Sequence, residues 1–206
     1  YNGVISGMSM DGGRFFYPNP LSSDGKYKFN ADGNTTRQPW FGCACCPSNL
    51  CRFIPSVPGY LYGVKDNNVY VNLFAASTST VQVNGKDVTL EQTTEYPWQG
   101  DITLRVKQCK AKGTNLLVRV PGWVRNQVVP SDLYAYSDTL RPAYSITVNG
   151  KTVTADLEKT NGYVPVCGVK RGDVVRIHFD MPVRTVIANS KVADDCGKVA
   201  VERGPL

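Results

Sequence analysis

The chain has 206 residues, of which 42% are hydrophobic and 19% are charged, a composition typical of a globular protein with a buried core. Its 23 basic and 17 acidic residues give a net charge of +6, and the basic residues are scattered along the chain. This pattern indicates a solvated surface and argues against a nucleic-acid partner. No stretch reaches the roughly 18 apolar residues that a membrane span requires, so we expect no membrane-spanning segment.

The first 62 residues differ from the rest of the chain in their pattern of apolar, polar and turn-forming residues. Small and apolar residues over 1–10 predict the end of a helix, and residues 11–13 predict the turn that follows it. A short aromatic strand is expected at 14–17, and a long irregular loop, rich in Ser, Asp, Gly and Asn, at 22–36. Because the first residues resemble the middle of a helix, we expect the chain to be part of a longer protein.

A short helix is predicted after the loop. Pro47 favours the first turn of a helix over residues 48–54, which gives Cys46 the N-cap position. Pro55 and Pro58 should end or kink this helix, because proline lacks the backbone donor and clashes with the preceding turn.

From Asn68 onward the hydrophobic period changes to two, as in β-strands. Asn84-Gly85 and Asn149-Gly150 are strong signals for two-residue hairpins. Candidate strands lie at residues 69–74, 80–83, 87–92, 101–107, 115–120, 145–148, 174–179 and 199–202. Many short strands with regular turn signals predict a mainly β fold, an antiparallel β-sandwich of the jelly-roll type, over residues 63–206. Helix should be essentially confined to residues 1–62.

Three of the seven cysteines crowd together as Cys43, Cys45 and Cys46. Adjacent cysteines rarely form a disulfide with each other because the bridge is strained, so the cluster suggests thiolate chemistry or metal ligation. Zinc prefers thiolate, imidazole and carboxylate ligands, and Cys45 with Cys46 could supply two of four. The simpler interpretation is three buried thiols in a tight turn. The other four cysteines are isolated in the sequence, and we expect each to be a small buried hydrophobe.

Two physical features favour reactivity over simple burial. A cysteine at the start of a helix experiences the positive end of the helix dipole, and a bound metal favours the thiolate further. The usual zinc spacing, Cys-x-x-Cys repeated twice, is absent from the sequence, so a complete zinc site needs ligands from elsewhere. His178 is the one histidine in the sequence, and its alternating strand predicts a place on the polar face rather than a ligand role.

The run Trp40-Phe41-Gly42-Cys43-Ala44-Cys45-Cys46-Pro47-Ser48-Asn49 resembles the cysteine motif of glycoside hydrolase families 127 and 146, the beta-L-arabinofuranosidases. The resemblance extends from end to end of the chain. It is carried also by residues 1–8 and 15–21, which resemble the segment before the motif, and by Tyr96-Pro97-Trp98-Gln99-Gly100, Val118-Arg119-Val120-Pro121-Gly122-Trp123 and Val201-Glu202-Arg203-Gly204-Pro205-Leu206, which resemble landmarks of the family's β-domain.

The resemblance implies an (α/α) barrel that carries the active site, followed by β-sandwich domains. Residues 1–62 would then be the last piece of the barrel, and residues 63–206 a β-sandwich domain. It implies that Cys45 is both nucleophile and zinc ligand, that Cys46 is a zinc ligand, and that Tyr17 contributes to the sugar pocket. The substrate would be an arabinofuranoside.

The remaining parts of such a site would come from the barrel upstream of this chain. They are an acid/base glutamate and two more Zn2+ ligands, one glutamate and one cysteine. The 206 residues alone should therefore be inactive. Ser48 departs from the family pattern, in which a second proline commonly follows the cysteine pair.

Three alternatives accompany this interpretation. The chain could be a non-catalytic carbohydrate-binding or scaffolding β-sandwich with a structural cysteine cluster. A thiol protease would need a histidine base, and His178 is distant in sequence from the cysteines. Within the site, Tyr17 could pack behind the pocket instead of contacting sugar. We expect Trp40 and Phe41 to be packing residues.

Overall fold

The computed structural model describes residues 5–18, 24–30, 33–43 and 45–206. Within these ranges the helices are a 3-10 turn at Ile5–Gly7, an α-helix α1 at Cys45–Ser56, a 3-10 turn at Val57–Tyr60 and another at Ala193–Asp195. No helix in the described ranges has both the length and the apolar character that a bilayer crossing requires.

The N-terminal expectations need correction. The described part of the helix predicted over residues 1–10 is the single turn Ile5–Gly7, and residues 1–4 lie outside the described ranges. The strand predicted at 14–17 is reduced to Phe15, which forms isolated bridges with Met8 and Gln38. Aromatic residues favour a strand here, but the glycines and prolines on both sides leave too little chain for a ladder.

Helix α1 is short, as predicted, but it begins at Cys45 rather than at Pro47, so Cys46 lies inside the helix and is not its N-cap. Pro55 also lies inside the helix, one residue before its end. A proline so close to the C-terminus disrupts little of the hydrogen-bonded ladder, and the chain continues directly into the turn Val57–Tyr60.

Thirteen strands lie within the described residues. They are β1 (Tyr62–Lys65), β2 (Asn68–Val71), β3 (Ser77–Val83), β4 (Lys86–Thr94), β5 (Asp101–Cys109), β6 (Asn115–Arg119), β7 (Tyr134–Tyr136), β8 (Tyr144–Val148), β9 (Lys151–Thr152), β10 (Tyr163–Val166), β11 (Val174–Phe179), β12 (Val183–Ala188) and β13 (Val199–Arg203). The mainly β character is confirmed. Strands β1, β7, β9, β10 and β12 were not predicted.

The strands form three sheets, with strand orders β1-β2-β6-β10, β3-β4-β5-β11-β8-β9 and β13-β12-β7. All pairs are antiparallel except β2 with β6, which is parallel. The expectation of a wholly antiparallel arrangement is therefore wrong at this pair. Parallel neighbours need a long connection, and here the chain between them passes through β3, β4 and β5 of the six-stranded sheet.

The core is one hydrophobic cluster to which all three sheets contribute. Alternation along the strands produces it, because every second side chain of β4, β5, β6 and β11 points inward. Phe179 contacts both Phe74 and Trp123, with ring centroids 5.5 and 5.8 Å apart. Both predicted hairpin turns are present, since Asn84 and Gly85, like Asn149 and Gly150, have the positive φ angles that such turns need.

The buried side chain of Arg184 on β12 links the three-stranded sheet to the loop residues Asn126 and Asp138. The guanidinium of Arg184 lies 3.3 Å from the ring centroid of Tyr136 and donates hydrogen bonds at 2.7 Å to both Asp138 and Asn126. The hydrogen bond from Arg184 lowers the pKa of Asp138. The hydroxyl of Tyr136 contacts Glu202 on β13, and burial raises the pKa of that carboxyl.

Replacing Gly100 by alanine should destabilise the fold. An added Cβ at Gly100 would lie 1.9 Å from the carbonyl oxygen of Phe179, so the β5–β11 contact must shift. We expect Gly100→Ala to lower the free energy of unfolding by about 2 kcal/mol or more, measured by urea denaturation. Gly59→Ala is the matched control, because nothing lies within 4 Å of its Cβ position. Equal stability of the two variants would contradict this packing.

A pH dependence should arise from His178, which lies on the polar face of β11 as predicted. Its Nδ1 lies 2.7 Å from Asp101 and its Nε2 3.1 Å from Asp180, and these hydrogen bonds raise the pKa of His178. A raised pKa in the folded protein stabilises it fully below the unfolded value of about 6.5, and this contribution disappears as the pH rises through the folded pKa.

We therefore expect the stability advantage of the wild type over His178→Gln to be largest between about pH 5 and 6.5 and to shrink at higher pH. Because the side chain is about half exposed, the advantage should stay below about 1 kcal/mol. Urea denaturation across this pH range measures it. An advantage that grows with rising pH would show that the imidazolium does not stabilise the fold.

Candidate active site around Cys45

Cys45 is the first residue of α1 and is exposed. Its position places the side chain at the N-terminal end of the helix, the positive end of the helix dipole. The backbone carbonyl of Cys45 accepts a hydrogen bond from the Ser48 hydroxyl at 3.0 Å. Ser48, which replaces the expected proline, thus supports the first turn of the helix.

Tyr17 is the predicted site residue that the fold brings to Cys45. The tyrosine hydroxyl lies 3.1 Å from the Cys45 sulfur. The side chain of Cys46 lies outside the described part of the structure, so its predicted role as a ligand stays a prediction. The described structure therefore brings together two of the three predicted site residues.

A second sulfur belongs to the same cluster. The Cys43 sulfur lies 3.4 Å from that of Cys45, and both side chains are exposed. The interpretation of these residues as buried thiols in a turn is therefore wrong for Cys43 and Cys45. The path of the chain explains the difference, since residue 43 precedes the helix and residue 45 begins it, at a surface-exposed helix end.

The isolated cysteines also depart from expectation. Cys51, Cys167 and Cys196 are exposed, and Cys109 is half-buried. Cys51 lies on the solvent side of α1, and Cys167 directly follows the end of β10. A cysteine side chain is small, so it can lie at the surface without exposing much apolar area. The general preference of cysteine for the interior therefore did not predict the positions of these residues.

An aromatic cluster fixes the ring of Tyr17. The Tyr17 ring packs edge-on against the Phe41 ring, with centroids 5.4 Å apart. The Phe15 ring packs on the Phe41 ring as well, with centroids 5.2 Å apart. Phe41 is 3% exposed, which confirms it as a packing residue. Trp40, expected to pack as well, is 60% exposed. Phe41 packs against both Phe15 and Tyr17, whereas the neighbouring Trp40 side chain is left exposed to solvent.

Asn30 is a structural residue of the site that sequence reasoning missed. It is 5% exposed, and its side-chain oxygen accepts a hydrogen bond from the Tyr17 backbone N–H at 3.2 Å. Its amide nitrogen donates to the Thr36 carbonyl at 2.7 Å and to the Asn34 side chain at 2.9 Å. The only available signal was an asparagine in a polar loop, a common turn residue.

Arg37 links the site to the first described turn. Its guanidinium lies 4.4 Å from the ring centroid of Phe16 and donates hydrogen bonds to the carbonyls of Gly7 and Ser6. The Asn30 amide therefore joins Tyr17 to the loop that follows it. Arg37 joins that loop to the turn at Ile5–Gly7 and to the ring of Phe16.

No three side chains of His, Cys, Asp or Glu gather in the described ranges into a group that could hold a metal ion. His178 lies on β11 between two carboxylates, as described above. Within the described residues, Cys43 and Cys45 thus offer at most part of a ligand set. Any complete metal site would need donors from other residues.

Two family models match parts of the chain. The family model of the beta-L-arabinofuranosidase GH127 middle domain matches residues 68–181, and that of the GH127 catalytic domain matches residues 1–59. The first match alone spans more than half of the chain. The protein is thus related to glycoside hydrolases. Specifically, the chain belongs to the GH127 beta-L-arabinofuranosidase family, with Tyr17 and Cys45 inside the portion that matches the catalytic domain.

Individual relatives agree with this assignment. The chain is 36% identical to a non-reducing end beta-L-arabinofuranosidase of Bifidobacterium longum subsp. longum. The match covers the whole of this chain and 30% of the length of that protein. A solved GH127 beta-arabinofuranosidase is 53% identical, with a TM-score of 0.85, over 98% of this chain and 30% of the relative.

A GH127 beta-L-arabinofuranosidase from Geobacillus stearothermophilus T6 is 34% identical, with a TM-score of 0.77, again over 98% of this chain and 30% of the relative. The chain therefore spans about a third of the length of these relatives. It comprises part of a catalytic domain followed by the middle domain. The division at residue 62 stays a prediction.

Asn30→Ala should loosen the segment that holds Tyr17. The substitution removes the acceptor of the Tyr17 N–H and the donor to Thr36 and Asn34. A buried group left without its partner costs about 1–3 kcal/mol, so we expect the Tyr17 amide to exchange with deuterium at least about tenfold faster. Lys28→Ala, an exposed change in the same loop, is the control. Unchanged exchange in Asn30→Ala would contradict this role.

Proposed function

We propose that the full-length protein is a retaining glycoside hydrolase that releases beta-L-arabinofuranose from plant-type glycans, with Cys45 as its nucleophile. One observation carries the proposal. An exposed cysteine sulfur at the start of α1 lies 3.1 Å from the hydroxyl of Tyr17, inside the portion that matches the GH127 catalytic domain. Family membership supports an arabinofuranoside as the substrate.

The proposed architecture assigns residues 1–62 to the last piece of an (α/α) barrel and residues 63–206 to a jelly-roll β-sandwich. The shared core of the sheets supports the second assignment. The upstream barrel domain of the same protein would supply the acid/base glutamate. Tyr17 would form part of the sugar pocket, with its ring held against Phe41.

We further propose Cys45 and Cys46 as zinc ligands. The donor chemistry fits, because cysteine thiolates are among the ligands that zinc prefers and the Cys45 side chain is exposed at the start of α1. A bound zinc ion would hold Cys45 as a thiolate and orient it.

The proposed reaction has two steps. The Cys45 thiolate attacks the anomeric carbon and forms a carbon–sulfur bond while the glycosidic carbon–oxygen bond breaks. The leaving oxygen takes a proton from the upstream glutamic acid. That glutamate then removes a proton from water, which attacks the same carbon and returns the electron pair of the carbon–sulfur bond to Cys45. Two displacements at one carbon give overall retention.

Cys45→Ser should abolish hydrolysis in the full-length enzyme. A serine hydroxyl stays protonated near neutral pH and is a poor zinc ligand, so we expect kcat to fall at least about a thousandfold. The assay is hydrolysis of 4-nitrophenyl beta-L-arabinofuranoside, with zinc content measured on the same samples. Wild-type enzyme that cleaves no arabinofuranoside and holds no zinc would instead favour a binding module.

Cys51→Ser is the matched control for this experiment. It makes the same chemical change at another exposed cysteine of α1, six residues further along the helix. We expect its activity and zinc content to stay within about twofold of wild type. If Cys45→Ser were as active as Cys51→Ser, Cys45 would not be the nucleophile.

A further inference from the structure

The Tyr17 hydroxyl is held in place from two sides of the residue. The backbone N–H of Tyr17 donates to the buried Asn30 side chain, and the ring packs on the buried Phe41. These two contacts orient the backbone and the ring, and the hydroxyl lies 3.1 Å from the Cys45 sulfur. Such pre-organisation is typical of groups that support a reacting atom.

The direction of this hydrogen bond follows from the proposed chemistry. Between a thiol and a hydroxyl, either group can be the donor. A Cys45 that acts as a nucleophile carries no proton on sulfur, so only the Tyr17 hydroxyl can donate. We infer that Tyr17 is a positioning residue whose hydroxyl donates a hydrogen bond to the Cys45 thiolate and aims it at the anomeric carbon. This inference rests on the proposed function.

The hydrogen bond should change in strength during the reaction. When the carbon–sulfur bond forms, negative charge leaves the sulfur and the hydrogen bond from Tyr17 weakens. When water breaks the carbon–sulfur bond, the electron pair returns to sulfur. The hydrogen bond from Tyr17 then strengthens again, because hydrogen bonds to charged groups are the stronger ones. Tyr17 keeps its proton throughout. The hydroxyl therefore favours departure of the thiolate in the second step.

Tyr17→Phe separates the hydroxyl from the ring, since phenylalanine can keep the edge-on contact with Phe41. We expect kcat of the full-length enzyme on 4-nitrophenyl beta-L-arabinofuranoside to fall roughly ten- to a hundredfold, as for loss of a hydrogen bond to a charged group, with no increase in KM and unchanged zinc content. Tyr60→Phe removes a hydroxyl from an exposed tyrosine after α1 and should match wild type. A Tyr17→Phe enzyme with normal kcat, or with a raised KM alone, would overturn the inference.

A second measurement does not depend on activity. With tyrosine carrying 13C at Cζ, the Tyr17 resonance, assigned by its loss in Tyr17→Phe, should move when Cys45→Ala removes the acceptor, while the Tyr60 resonance stays in place. An unmoved Tyr17 resonance would overturn the inference even in an active enzyme. Wild-type enzyme without arabinofuranosidase activity would overturn the proposed function, and the resonance would then decide separately whether the hydroxyl binds the sulfur.

Discussion

The contact between the Tyr17 hydroxyl and the Cys45 sulfur joins two segments that are 28 residues apart in the chain. It exists because several weaker constraints act together. Helix α1 fixes the backbone at Cys45, the buried ring of Phe41 supports Tyr17, and the amide of Asn30 holds the tyrosine backbone. A single hydrogen bond or aromatic contact of this kind contributes about 0.5–1.5 kcal/mol. Their common effect is to place a hydroxyl donor beside an exposed thiol.

The β region contributes to this site indirectly. Its sheets share one core built from the alternating strands. Helix α1 is followed by the turn Val57–Tyr60, the buried Leu61 and strand β1. The Leu61 carbonyl accepts hydrogen bonds from the backbone N–H groups of Asn72 and Leu73, which directly follow β2. The chain that leaves the helix is therefore joined by its backbone to the sheet that contains β1 and β2.

Local signals in the sequence predicted much of this fold. The turn residues Asn84 and Gly85 specify a hairpin through their positive φ angles, and strand β11 has the predicted bounds. Strand β10 was missed because it contains Pro165, and the sheet tolerates this proline since β10 is an edge strand. The tyrosine–sulfur contact could not be found from periodicity, because the described residues between Tyr17 and Cys45 form no helix or strand. Family resemblance singled out both residues, while their distance required coordinates.

The proposed nucleophile requires a covalent bond between the Cys45 sulfur and the anomeric carbon of the sugar, and this bond can be trapped. An arabinofuranose analogue with an electrophile at the anomeric carbon would be incubated with the full-length enzyme, and the modified residue identified by mass spectrometry. We expect a single adduct on Cys45, with Cys51 and Cys43, whose sulfur lies 3.4 Å from that of Cys45, left unmodified. An adduct on a carboxylate would contradict the thiolate mechanism and leave Cys45 as a ligand or a structural residue.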